Sequence, residues 1–463
     1  MKRILSAVFF AALPLLLNAQ AVTPETFRDN PDKSGGIYYV YHYGESDEDG
    51  VVLSSEVKAP AGYKPFYVSH VGRHGSRWHT SPYRYVLCRK VLNDAAQAGI
   101  LTEYGKKLQG IMERTASRAS GRSSEISPRG VDEQRGIAER MFRENRPLFK
   151  GGNVRVESSA SSSTRCVLTM AAFNTRLSEL NPKIRISSTA NGRCQVVLRE
   201  HRGCVSFYEV AKKETLADID VVLQRIAPDV LGRIFLPGTC PFADDKAKVS
   251  VFVRSLSDLA IIAQDTDDER FFDLFTPQEL YDLWESILPY RYGQYGPTYR
   301  WGDAILGDGM LVMKQILEDA DRRIAGGETV ASLRFGHDYT VLALLESMEI
   351  AGPRGRRTDD LKGLKDWWID YRIAPMSTNV QMTFYRNRKG GIIVKITHNE
   401  EIQTLAGLES DIAPFYRWEE LRPWMQKRIE EISKLPAVVA LGFGDPVPMP
   451  VPAFGELPSE YGE

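Results

Sequence analysis

The sequence has few of the residues that build metal sites. Its 463 residues include 5 cysteines and 7 histidines, and no two cysteines stand in a Cys-x-x-Cys pattern. Because these residues show none of the spacings typical of zinc ligands, a zinc enzyme is not indicated. Cys194 and Cys204 are close enough in sequence to close a short loop as a disulfide, but spacing alone does not determine pairing.

An excess of charge of either sign is also missing. Lys and Arg together number 59 against 60 for Asp and Glu, which gives a formal net charge of -1. No overall field therefore attracts the chain to nucleic acid or to an anionic membrane. We expect a small-molecule ligand and no nucleic-acid partner, and any anionic ligand must be held by local groups.

Long apolar runs are scarce and occur only at the beginning of the chain. Met1-Lys2-Arg3 precedes an apolar run over residues 4–17, and small residues follow as far as Ala21. This pattern predicts a secretory signal peptide over residues 1–20, and hence export to the periplasm or the medium. The run is short for a membrane span, and no later run approaches about 18 apolar residues, so no stable membrane insertion is expected.

The chain does contain three segments in which an apolar strand ends in a tight turn. The strands are predicted over Pro65–Gly72, Val154–Ser158 and Ala331–Gly336. Helices with the corresponding apolar period follow the second and third strands, over Thr164–Leu180 and Tyr339–Met348. The succession of strand, turn and helix is typical of an α/β fold with a mostly parallel sheet flanked by helices.

The length of the chain favours a second folding unit. Helical periodicity dominates residues 183–328, which predicts a mainly α-helical insertion between two parts of an α/β domain, residues 21–182 and 329–443. Within the second part, Val380–Asn387 and Ile392–His398 have the pattern of a hairpin, and a helix is predicted over Glu419–Ser433. Residues 444–463 are predicted to be a Pro-rich tail.

Each of the three predicted turns carries basic residues. They are Arg73, His74 and Arg77 at the first turn, Arg165 at the second and His337 at the third. Ligands of open α/β sheets bind outside the carboxyl ends of the strands, where helix N-termini also favour an anion. We therefore expect these residues to form one anion site.

A phosphate monoester suits such a site. Its charged oxygens match the forked donors of several arginines, which would also stabilise the charge that develops at phosphorus. A neutral imidazole such as His74 can attack phosphorus in line. Asp338, next to His337, is a candidate proton donor for the leaving group. A bound phosphate would raise the pKa of Asp338 and the helix N-terminus would lower it, so the sequence leaves this balance open.

These residues resemble a known family. Arg73-His74-Gly75-Ser76-Arg77, Arg165 and His337-Asp338 are similar to the motifs of the histidine phosphatase superfamily, in its histidine acid phosphatase and phytase branch. Ile126–Gly130, with Gln134 and Gly136, is similar to the Leu-Thr-x-x-Gly stretch of that branch. The resemblance covers about residues 60 to 400, with the insertion where the family has its α domain.

The resemblance implies a phosphatase that acts on phosphate monoesters through a phosphohistidine intermediate, with inositol phosphates among the candidate substrates. It implies that His74 is the nucleophile and that Asp338 is the proton donor. The phosphate clamp would consist of Arg73, Arg77, Arg165 and His337. No metal, other cofactor or protein partner is implied.

Some positions depart from the family pattern or leave alternatives open. His79 stands where the branch commonly has proline, and His337-Asp338-Tyr339 replaces the His-Ala-Glu of multiple inositol polyphosphate phosphatases. Arg155 competes with Arg165 for its role. His79 and Arg84 either line an entrance for a polyanionic substrate or are ordinary surface residues. Other functions that the pattern allows are a phosphotransferase or mutase of the same superfamily and a non-catalytic phosphate-binding protein.

Overall fold

The computed structural model of the protein describes residues 21–44, 51–199, 204–350 and 357–443. The predicted signal peptide and the Pro-rich tail lie outside the described residues, as does the side chain of Cys204. The four cysteines whose side chains are described, Cys88, Cys166, Cys194 and Cys240, are free thiols. In the described ranges, no helix combines the length and the apolar character that crossing a membrane requires.

Within the described residues, the strands form one mixed sheet. They are β1 Lys64–Arg73, β2 Val154–Ala160, β3 Ile184–Thr189, β4 Thr329–Gly336, β5 Asn379–Arg386, β6 Ile392–His398, β7 Glu401–Ile402 and β8 Phe415–Arg417. The order is β3-β2-β4-β1-β5-β6-β7, and β8 pairs with β6. The part from β3 to β1 is parallel, and β5 to β8 continue it in antiparallel pairing.

The helices of the described residues surround this sheet and extend beyond it. They are α1 Pro24–Asp29, α2 Pro82–Gln97, α3 Glu103–Ala119, α4 Pro128–Glu144, α5 Arg146–Phe149, α6 Thr164–Leu180, α7 Gly192–Leu198, α8 Cys204–Ile234, α9 Lys246–Thr266, α10 Pro277–Tyr295, α11 Asp303–Ile324, α12 Asp338–Ser347, α13 Asp370–Ile373, α14 Trp418–Ser433 and α15 Pro436–Leu441.

The two faces of the sheet carry separate apolar clusters. On one face, residues of α4 and α6 such as Ile137 and Phe173 pack against β2 and β4. On the other face, α11, α12 and α14 cover β1, β5 and β6, and the same cluster continues into α8, α9 and α10. Because β1 and β4 lie in the middle with helices on both sides, seven residues of each are buried, as is typical of central parallel strands.

The predicted fold class is confirmed: helices flank a sheet whose central part is parallel, and a helical region is attached to it. Predicted elements agree with the structure closely where the pattern is local. Thr164–Leu180 is α6, and the predicted hairpin is β5 with β6.

Three elements of the segment 183–328, namely β3, α7 and α11, lie at the sheet. Ile184–Thr189 is the edge strand β3, paired with β2. The sequence assigned it to the insertion because only Ile184 is buried along it, so that little strand pattern is present. Helix α7 contacts β2 and β4, and helix α11 packs against α12 and α14. The division of the chain into two domains stays a prediction.

Candidate active site

Three neighbouring parallel strands end at the same level of the sheet. Arg73, the last residue of β1, pairs with Gly336 at the end of β4, and Ala160, the last residue of β2, pairs with Phe335. The turns that follow these strands therefore lie side by side at the carboxyl edge. This register brings together the basic residues that the sequence analysis singled out from distant segments.

His74 begins the turn after β1 and is 2% exposed. Its backbone N–H donates to the Gly336 carbonyl at 3.0 Å, which joins the turns after β1 and β4. Its Nδ1 lies 3.0 Å from the Gly75 carbonyl oxygen, and since a carbonyl can only accept, Nδ1 carries the proton. Burial and the neighbouring arginines hold the pKa of His74 well below its usual value. The ring is therefore neutral and has its free lone pair on Nε2.

The Arg73 guanidinium is buried and held in a fixed orientation. Its Nη1 donates to the carbonyl oxygens of Ile37 at 2.5 Å, Ala374 at 2.9 Å and Pro375 at 3.2 Å. Its Nη2 donates to Asp338 Oδ2 at 3.2 Å. Because one nitrogen is fixed by backbone oxygens, the fork stays oriented when the Asp338 contact changes.

Arg77 rests on an aromatic ring from the N-terminal part of the chain. Its guanidinium carbon lies 5.3 Å from the centre of the Tyr38 ring, and that of Arg291 lies 6.0 Å from the same centre. Nη1 of Arg77 donates to the Trp78 carbonyl at 3.0 Å, while its buried Nε has no partner among the described residues. The ring thus supports two guanidinium groups in cation–π contacts.

Arg165 and His337 contact each other directly. Arg165, the second residue of α6, places Nη2 3.1 Å from Nδ1 of His337. The His337 ring centre lies 5.6 Å from that of His74. The competitor Arg155 lies near the amino end of β2, where it pairs with Glu328 at 2.5 Å. Arg165, not Arg155, is therefore the arginine at the carboxyl edge.

Asp338 is the first residue of α12, and its two carboxylate oxygens have different partners. Oδ1 accepts from the Tyr339 N–H at 3.0 Å and Oδ2 from Arg73. Burial raises the pKa of Asp338, but the charge of Arg73 and the hydrogen bond from the Tyr339 N–H lower it by more, so that the pKa lies below its usual value. In the free site the balance that the sequence left open therefore favours the carboxylate.

Helix α4 packs tightly on the first turn through two glycines. A Cβ on Gly75 would lie 2.4 Å from the Gly130 carbonyl oxygen, and one on Gly130 would lie 2.2 Å from the Ser76 carbonyl oxygen. From the same helix, Glu133 accepts from the Ser76 N–H at 3.0 Å and from its hydroxyl at 2.7 Å. Gln134 donates to the Arg73 carbonyl at 3.2 Å. The sequence singled out Gly130 and Gln134 but not Glu133, which no motif marks.

A buried carboxyl group that the sequence analysis did not consider also faces this turn. Asp265, near the end of α9, is fully buried, and neither of its oxygens makes a well-aligned hydrogen bond in the described part of the chain. The Ser76 hydroxyl nearby donates to Glu133 instead. Burial raises the pKa of Asp265 well above its usual value and so favours the uncharged acid form of this side chain.

The two candidate entrance residues, His79 and Arg84, lie between the first turn and α9. Arg84 pairs with Asp258 of α9 at 2.9 Å and donates to Ser255 at 3.3 Å. Nδ1 of His79 accepts from the Ser81 N–H at 2.9 Å, and burial lowers the pKa of His79 to about 4. In the free protein Arg84 thus joins α2 to α9, whereas His79 contacts Ser81 of its own segment.

Comparison with known proteins gives relatives by structure only. No family model matches the chain, and no curated protein matches it. A structure of the Bifidobacterium longum multiple inositol polyphosphate phosphatase in complex with inositol hexasulfate superposes with a TM-score of 0.68 at 19% identity, covering 85% of this chain and 97% of the other. The phytase from D. castellii gives 0.65 at 15% identity, covering 89% and 92%.

The chain has the fold of these phosphatases. The resemblance inferred from the motifs around His74 and His337 is therefore confirmed for the fold. At this level of identity the likeness establishes architecture, and the chemistry must be argued from the site itself. Among the described residues, no group of three or more His, Cys, Asp or Glu side chains is arranged to hold a metal ion.

Proposed function

We propose that the protein is an exported phosphatase of the histidine acid phosphatase type, which hydrolyses phosphate monoesters through a phosphohistidine on His74. The observation that carries the proposal is the state of His74: a buried, neutral imidazole with a free Nε2, surrounded by three arginines. Such a ring is a nucleophile, and the arginines supply the charge that a phosphate ester requires. Export is proposed from the sequence pattern of residues 1–20.

In the first step, Arg73, Arg77 and Arg165 bind the non-bridging oxygens of the ester. His74 Nε2 attacks phosphorus, the bond from phosphorus to the ester oxygen breaks, and Asp338 gives its proton to the leaving oxygen. In the second step, water attacks the phosphohistidine and the phosphorus–nitrogen bond breaks. Asp338 accepts the proton of that water and returns to its acid form, so that inorganic phosphate is released.

Asp338 must carry a proton to act as the acid, although Arg73 keeps it ionised in the free site. A bound phosphate dianion weakens the hold of Arg73 on the carboxylate and raises the pKa of Asp338. A more acidic solution has the same effect on its protonation. Because kcat reports ionisation in the complex with substrate, we expect kcat to fall as the pH rises above the range in which Asp338 stays protonated there.

Inositol phosphates are the substrate class that we propose first. The two structural relatives described above are a multiple inositol polyphosphate phosphatase and a phytase. The structure of the first holds inositol hexasulfate. In this chain, Arg84 and Arg254 share the single carboxylate of Asp258 beside the first turn. This local excess of positive charge suits a substrate with several phosphates.

The test is phosphate release from p-nitrophenyl phosphate and inositol hexakisphosphate by the purified protein without residues 1–20. We expect His74→Ala to abolish release from both. Arg155→Ala is the matched control, because it removes an arginine of the same sheet from the opposite edge, and should leave activity unchanged. A folded protein that binds inorganic phosphate but releases none from either ester would refute the enzyme and support a phosphate-binding protein. An active His74→Ala variant would refute the assigned nucleophile.

A further inference from the structure

Behind the anion site, a chain of hydrogen bonds runs through His337. Its Nδ1 contacts Arg165 Nη2 at 3.1 Å, and its Nε2 contacts Ser161 Oγ at 3.2 Å. Ser161 Oγ in turn donates to Gln195 Oε1 at 3.0 Å. Ser161 comes from the turn after β2, while Gln195 belongs to α7, beyond β3. Neither residue is part of the motifs that marked the site.

The contact with Arg165 determines which atoms donate and which accept along this chain of hydrogen bonds. A guanidinium can only donate, so Nδ1 of His337 must accept and carries no proton. Burial and the charge of Arg165 lower the pKa of His337 to about 3, so the ring is neutral and its one proton is on Nε2. Nε2–H then donates to Ser161, whose own proton goes to Gln195.

The Gln195 end is compatible with the same direction. The amide nitrogen of Gln195 contacts the Ser162 hydroxyl and its oxygen contacts Ser161. Ser161 is 0% exposed and must place its proton on an acceptor. Ser163 Oγ and Cys166 Sγ also lie near Nε2, but at 3.5 and 3.7 Å, where hydrogen bonds are weak.

We propose that Ser161 and Gln195 are positioning residues that set the tautomer of His337 and, through it, hold the Arg165 guanidinium at the anion site. If the ring proton were on Nδ1, two donors would face each other and the contact with Arg165 would be lost. The orientation of a phosphate-binding arginine therefore depends on a serine and a glutamine that do not touch the phosphate. The inference rests on the proposed function only in taking the ligand to be a phosphate group.

The first test reads the tautomer of the unmodified protein. In a ¹⁵N-histidine-labelled sample, the signals of His337 are identified by their loss in His337→Gln, and proton coupling shows which ring nitrogen is protonated. We expect the proton on Nε2. A proton on Nδ1 would overturn the proposal, whatever the variants do.

The second test measures the affinity for inorganic phosphate by calorimetry. Ser161→Ala and Gln195→Met should each weaken binding by about 3- to 10-fold, the range expected for losing one hydrogen bond of a buried chain. Ser162→Ala is the control, because it removes the other partner of Gln195 and leaves the chain to His337 intact. If both disrupting variants bind phosphate as tightly as the unmodified protein, the proposal is wrong.

Neither test requires turnover, so the two proposals fail separately. A protein with the expected tautomer and weakened variants but no hydrolysis would refute the phosphatase and leave the positioning role in place. An active phosphatase whose phosphate affinity is unchanged by Ser161→Ala and Gln195→Met would refute the positioning role and leave the proposed phosphatase in place.

Discussion

Replacing Asp338 by Asn separates protonation of the leaving group from binding of the phosphate. Asparagine has the shape of aspartate, and its side-chain oxygen can still accept from the Tyr339 N–H, which lies 3.0 Å from Oδ1. The Arg73 contact at 3.2 Å loses its charge, but Nη1 of Arg73 keeps its three backbone oxygens. We therefore expect the variant to fold with the anion site in place.

The magnitudes follow from these contacts. With an effective dielectric of about 20, the attraction between Arg73 and Asp338 is roughly 5 kcal/mol, much of which offsets the burial of the two charges. Losing the charge pair should cost the fold about 1–3 kcal/mol. Losing the general acid should slow hydrolysis of an inositol phosphate by about 10²- to 10⁴-fold. With p-nitrophenyl phosphate, whose leaving group departs without a proton, the loss should stay below about 10-fold.

The assay compares kcat/KM, which covers the steps up to departure of the leaving group, for both substrates in Asp338→Asn and in the unmodified protein, together with the affinity for inorganic phosphate. Because the substitution removes a negative charge beside the anion, phosphate should bind at least as tightly as before. An equal loss of kcat/KM for both substrates would refute the role of Asp338 as the acid. A large loss of phosphate affinity would show that the substitution had disrupted the clamp.

The remaining predictions concern the supports of the site. Tyr38→Leu removes the ring beneath Arg77 and should raise KM by about 2- to 30-fold with a smaller effect on kcat. An unchanged KM would contradict the role of Tyr38 in supporting Arg77. Gly130→Ala should lower the free energy of unfolding by about 1–3 kcal/mol in urea because its Cβ meets backbone, whereas Gly232→Ala, with open space at its Cβ, should not. Because the pKa of Asp265 is raised in the folded state, the folded state loses stability as the pH rises above about 4, the pKa of aspartate in the unfolded chain. Asp265→Asn should therefore stabilise the protein at neutral pH and not at pH 3. A gain that does not vary with pH would contradict this.

The sequence predicted those features that depend on local pattern. Helix α6 and the central strands have strong apolar periods with turns at their ends, and the parallel topology then requires the residues after β1, β2 and β4 to share an edge. Strand β3 was missed because an edge strand with one buried residue has almost no pattern. Its neighbour α7, which supplies Gln195, was missed with it.

Other parts of the site depend on contacts between distant segments and leave no trace in sequence spacing. Tyr38 and Asp265 reach the first turn from the N-terminal segment and from the helical region. The ionisation of Asp338 could not be predicted either, because it depends on how close Arg73 lies and on how little water reaches the pair. Predicting such a pKa requires the distances and the burial that only the folded structure provides.

The central claim is that His74 carries the phosphoryl group during turnover. The most direct measurement mixes the protein with inositol hexakisphosphate, quenches in alkali within the first turnover, and maps phosphorylated peptides by mass spectrometry. We expect acid-labile phosphate on His74, and none in the His74→Ala variant. Turnover without phosphate on His74, or with phosphate on a different residue, would contradict the account.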